Sequence, residues 1–161
     1  MKLLCNILFS FFFLLVQELP QVREDYYAAS KTKQSAEAFY NSLSKYNKDN
    51  KTLLAYKGAA TALKSKYTPD KKLKKELFID GVKMVENAVK SEPNNAEIRL
   101  VRLSIQENTP KFLKYKSNIE EDKKIIVATF EKQPKDLKEY IRIYTKISKV
   151  FTEKEKQIIL K

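Results

Sequence analysis

Three features of this sequence predict an all-α fold of stacked antiparallel helical hairpins, about seven helices in all. Gly occurs twice and Pro five times in 161 residues, so the turn chemistry that a multi-stranded sheet demands is mostly missing. Apolar residues recur at steps of three and four from Arg23 onward, the period of one helical face. Pro69, Pro93 and Pro110, with their neighbours Thr68, Asn94 and Thr109, together with Pro134, cut the chain into helix-length pieces.

In order, residues 1–17 read as a signal peptide. A basic start at Lys2 precedes an apolar run from Ile7 to Val16, and Gln17, Glu18 and Pro20 close it. The run falls short of the roughly 20 residues of a spanning helix. Small residues of the A-x-A type are missing, which leaves cleavage between about 17 and 22, and Cys5 reads as apolar filler. Residues 23–161 follow as a single α-helical domain. A first helix over about 23–47 aligns Ala36, Phe39, Leu43 and Tyr46. A second over 50–67, capped by Asp49 or Asn50, aligns Leu53, Tyr56, Ala60, Leu63 and Tyr67, and its Gly58, Ala59 and Ala62 allow a close helix approach. Thr68 as cap, Pro69 at the first helical position and Asp70 against the dipole open a third over 69–91. Its broad stripe from Leu73 to Val89 predicts the most buried helix. Asn94 or Asn95 caps a helix running to Asn108, and Thr109 and Pro110 open a short turn through Tyr115. Asn118 with Glu121 resembles a capping pair for a helix over 118–132. The next helix, 135–151, turns Leu137, Tyr140, Tyr144, Ile147 and Phe151 inward. Thr152 with Glu155 is a capping box for the last.

One apolar triple, i, i+3, i+7, recurs as Leu53, Tyr56, Ala60; as Ile98, Val101, Ile105; and as Leu137, Tyr140, Tyr144. Recurrence ahead of each partner helix suggests stacked hairpins. The segment EPNNAEIRLVRL resembles the junction between repeats of tetratricopeptide proteins, where Pro93 ends one hairpin, Ala96 and Glu97 open the next, and Ala88 stands at the family's late-Ala spacing. The resemblance spans Leu53 to Tyr144. It implies a concave surface for a protein or peptide partner and no enzymatic activity. The run from Arg99 to Ile126 is also similar to uncharacterised exported helical proteins of bacteria.

The chain has no His, and its one Cys is Cys5. Cys/His metal sites, disulfides and nucleophile–His dyads are therefore excluded from the mature domain, and no cofactor is expected. The net charge of +12 comes from Lys, with only four Arg: Arg23, Arg99, Arg102 and Arg142. Arg99, Arg102 and Gln106 share one helical face. Arg offers a planar fork for carboxylates that Lys lacks, so these three, with Tyr115 and Asp122, form the candidate binding site. Two readings stay open, a clamp for a partner's carboxylate and an internal ion pair from Arg102 to Asp122 or Glu121. The expected function is an exported protein-interaction or scaffold module, periplasmic or at the envelope, with an unidentified protein or peptide partner. A basic domain for anionic surfaces or nucleic acid is the alternative. Nucleic acid is the less favoured partner because the aromatic residues fall on core faces, and membrane contact is expected only if the N-terminal segment is retained.

Overall fold

The computed structural model describes residues 18–161; the predicted leader and Cys5 lie outside the described residues. All regular structure among the described residues is helical. The α-helices are α1 (Glu18–Ala29), α2 (Lys33–Ser44), α3 (Lys51–Tyr67), α4 (Lys71–Ser91), α5 (Ala96–Asn108), α6 (Ile119–Thr129), α7 (Lys135–Ile147) and α8 (Glu153–Leu160). Short 3-10 turns at Lys111–Leu113 and Phe130–Lys132 flank α6. Consecutive helices pair as antiparallel hairpins, α1/α2, α3/α4, α5/α6 and α7/α8, and the first helices also pack in sequence, α1 on α3 and α3 on α5.

Local capping explains most boundaries. Asn50 accepts from Leu53 N at 2.9 Å, Asn95 from Glu97 N and Ile98 N at 3.0 and 3.1 Å, and Thr152 with Glu155 forms the complete capping box. Each side chain satisfies amides that the first turn leaves unpaired. Four expected boundaries are corrected. The helix predicted over 23–47 is two, because Thr32 takes an extended conformation and caps α2 by accepting from Ser35 N at 3.1 Å. The cap of α4 is Asp70, which accepts from Leu73 N at 2.7 Å, whereas Thr68 turns back to Lys64 O. Asn118 makes no side-chain cap; its amide donates to Glu121 Oε2 instead. The helix predicted to 151 stops at Ile147, where Ser148 turns extended.

The packed region begins at Leu19 and Val22, ahead of position 23. Leu19, Val22 and Tyr26 repeat the triple of α3, α5 and α7, so the motif marks the first helix of all four hairpins. Between α3 and α4 the backbones nearly touch. A Cβ on Gly58 would lie 2.6 Å from Gly81 O, and one on Gly81 2.5 Å from Ala62 N. Only glycine permits that crossing, despite its cost in helix propensity.

The predicted most buried helix, α4, keeps an exposed face, with Leu73 46% accessible. That rank belongs to α5, where Ala96 through Gln106 are all buried. The reason is position. Ile98, Val101 and Ile105 enter a core shared with α1–α4, while Leu100 and Leu103 enter a second with α6–α8. Ile147, expected inward, is 58% exposed.

Candidate functional site

With apolar residues serving two cores, the polar residues of α5 occupy the two seams between them, and each seam is an ion network.

The first seam holds the predicted site. Arg102, on α5, makes a fork onto the fully buried Asp122 of α6, Nε to Oδ2 at 2.8 Å and Nη2 to Oδ1 at 2.7 Å. Its Nη1 donates to Glu86 of α4 at 2.9 Å. Arg99 donates to Asp122 Oδ1 at 2.9 Å, to Glu121 at 2.7 Å and, through Nε, to Pro93 O at 2.7 Å. Tyr115 joins by donating its hydroxyl to Glu86. Hydrogen bonds from Arg99 and Asn118 hold the Glu121 carboxyl below the usual range. Burial raises the Tyr115 phenol, and its bond to the Glu86 carboxylate raises it further. Of the predicted residues, Arg99, Arg102, Tyr115 and Asp122 are thus brought together. Gln106 is not. It lies one turn higher, fully buried, donating to Asn118 Oδ1 at 3.3 Å, and its Oε1 has no partner among the described residues. The arginine fork is filled by the chain's own carboxylate, so an incoming carboxylate would have to displace Asp122.

The second seam was missed by sequence reasoning. Arg23 of α1 makes a two-point fork onto buried Glu97 of α5, both distances 2.8 Å, and its Nη1 reaches Asp136 of α7 at 2.6 Å. Tyr56 of α3 donates to Glu97 Oε1 at 2.9 Å. One residue from the first helix of each hairpin therefore meets at a single point. Arg23 holds the Asp136 carboxyl below its ordinary value by donating to it. Around this centre, Tyr26 shares a 2.7 Å hydrogen bond with Ser104 and packs edge-on against Tyr56, ring centres 5.6 Å apart. Higher on α5, Glu107 accepts from Tyr144, from Ser148 Oγ at 2.8 Å and from Lys149 N at 2.7 Å, which ties down the end of α7. Burial drives all four phenols up: Tyr26 to about 12, and Tyr56, Tyr140 and Tyr144 upward as well.

Two further ties complete the set. Lys123, buried on α6, pairs with Glu120 at 2.9 Å and Glu155 of α8 at 3.2 Å. Arg142 donates to Ile159 O at 3.1 Å and lies over the Phe130 ring. All four Arg are therefore structural ties, a role that Arg scarcity in a Lys-rich chain could have flagged. Among the described residues, no group of three or more His, Cys, Asp or Glu is arranged to hold a metal ion, and no helix is long and apolar enough to cross a membrane.

Above the second seam, the inner face of α7 continues outward. Tyr140, Ile143, Tyr144 and Ile147 follow at three, four and seven residues, one helical stripe, running from half-buried tyrosines to exposed isoleucines. No family model matches the chain, and no curated protein or solved structure matches it.

Proposed function

We propose that this chain is an exported protein-interaction module, a short tetratricopeptide-like scaffold whose first helices present a tyrosine-lined inner face to a protein or peptide partner. One observation carries the reading: the α7 stripe leaves Ile143 and Ile147 exposed beside the half-buried Tyr140 and Tyr144. Exposed aliphatic groups next to tyrosines, which combine a large apolar body with a polar tip, are the composition of interface centres. The ion seams favour the same role, because they lock the four hairpins into a preformed surface and reduce the ordering cost of binding. The chemistry also points to binding rather than turnover. The tyrosines are pushed away from neutral pH upward, and Glu121 and Asp136 downward, whereas general acid–base catalysis needs groups poised near it.

The test is a photo-crosslinking residue at Lys146, exposed beside Ile143 and Ile147, in the full chain expressed in its own envelope. A discrete crosslinked partner is expected, lost in the Ile143→Asp/Ile147→Asp double variant while its unfolding midpoint stays close to that of the parent. Crosslinks that survive the double variant sink the assignment of this face.

A further inference from the structure

The end of the molecule where α4 begins combines exposed apolar side chains with unpaired cations. The turn Lys111–Leu113 carries Phe112, 79% exposed and the most accessible large hydrophobic residue described, with exposed Leu113 beside it. The turn is held from behind rather than loose. Tyr115 donates to Glu86 and stacks edge-on against Phe78 of α4 at 6.2 Å, and Lys116 Nζ donates to Gln106 O and Glu107 O at 2.9 and 2.8 Å, closing the end of α5. Lys114 takes φ of 52°, the left-handed conformation that side chains other than Gly, Asn or Asp seldom adopt. This firmly backed turn puts a Phe-Leu tip into solvent between Lys111 and Lys114.

Tyr115 packs along the Phe78 and Glu86 side of α4, and Lys71, Lys74 and Lys75, seven, four and three residues before Phe78, are exposed on that side toward the start of the helix, with exposed Lys72 next to them. Lysines at a helix N-terminus oppose the dipole, so helix stability does not account for them. Of these six lysines only Lys72 has a carboxylate within ion-pair distance, Glu76 at 4.0 Å, among the described residues. A single exposed Phe is ordinary on a protein surface. Phe112 and Leu113, flanked by Lys111 and Lys114 and with Lys71, Lys74 and Lys75 on the neighbouring face of α4, match instead the two demands of an anionic bilayer, apolar groups for the acyl boundary and cations for the headgroups.

We infer that this end docks on an anionic lipid surface, Phe112 and Leu113 entering the headgroup–acyl boundary and the lysines of α4 and the turn lying over the phosphates. Lipid is favoured over nucleic acid because Phe112 and Leu113 form an aliphatic–aromatic tip, whereas single strands are bound by aromatic platforms along a basic groove. The inference is independent of the α7 face and of any partner seated there.

The chain contains no Trp, so Phe112→Trp in the full chain is a single-site reporter even if the N-terminal segment binds lipid by itself. Mixed phosphatidylcholine/phosphatidylglycerol vesicles are expected to shift its emission to the blue and expose it to quenching by brominated acyl chains, with reversal at high salt. Leu160→Trp, on the terminal hairpin, is expected to stay unshifted. Replacing Lys71, Lys72, Lys74 and Lys75 by Gln should weaken the response about fivefold per lysine. The inference is overturned if Phe112→Trp does not shift, if neutral phosphatidylcholine shifts it equally, if the lysine replacements leave it unchanged, or if single-stranded nucleic acid shifts it and vesicles do not.

Discussion

The two seams of α5 use the same chemistry at very different sequence distances. In the Asp122 seam, Arg99 and Arg102 reach a carboxylate on the next helix, across one hairpin. In the Glu97 seam, Arg23 spans from α1 to α5 and on to α7, joining the first hairpin to the last. The first seam stiffens a junction between neighbours; the second closes the whole stack. Their partners differ too. Asp122 is fully buried with two arginines converging on it, whereas Glu97 also holds the Tyr56 hydroxyl, and Asp136 is half exposed.

That contrast can be broken by substitution. The largest effect is expected from Asp122→Ala, which strands two buried guanidiniums at once; urea unfolding should show a loss of about 3–5 kcal/mol. A loss below about 1 kcal/mol would mean that Glu121 and Glu86 carry the seam without it. Next comes Arg23→Met, expected to cost about 2–3 kcal/mol, because Glu97 loses its fork but keeps the Tyr56 hydroxyl. Adding Glu97→Gln to it should recover part of the loss, and a strictly additive double variant would show that the two residues are not coupled. Asp136→Asn is expected to cost less than about 1 kcal/mol, since water screens a half-exposed carboxylate. Comparing it with Arg23→Met thus separates the buried and exposed halves of that seam.

The smallest expected effect is with pH. Glu121 and Asp136 have folded-state pKa values below their ordinary 4.5 and 3.8. Their stabilising contribution is therefore fully present above those ordinary values and is lost as pH falls through the lower folded ones. Unfolding midpoints followed downward from pH 5 should fall less steeply in Asp136→Asn than in the parent, and parallel curves would remove Arg23–Asp136 as a titrating tie.

The sequence made the Asp122 seam legible because Arg99 and Arg102 share a face and the acidic Glu120–Asp122 opens the following helix. The Glu97 seam was hidden because nothing near Arg23 hints at a partner on α5 or α7. Glu97 itself read as a helix opener. Boundaries divided the same way. Asn50, Asn95 and Thr152 cap amides two or three residues away and could be read directly. The break at Thr32 has neither Gly nor Pro and escaped notice. Ile147 read as core because its spacing from Tyr140 and Tyr144 is helical, yet spacing cannot say how far round the helix the covered face extends.

What the sequence determined alone was therefore the helical content, the capping sites at Asn50, Asn95 and Thr152, and the repeated triple in three of the four hairpins. These depend on contacts within about one or two turns, whose physics is local. Tertiary structure decided that α5, rather than α4, is the buried centre, and that every arginine is a tie rather than a free clamp. The reason is that burying a charge becomes tolerable only when an opposite charge arrives with it. For Arg23, those charges come from helices far along the chain.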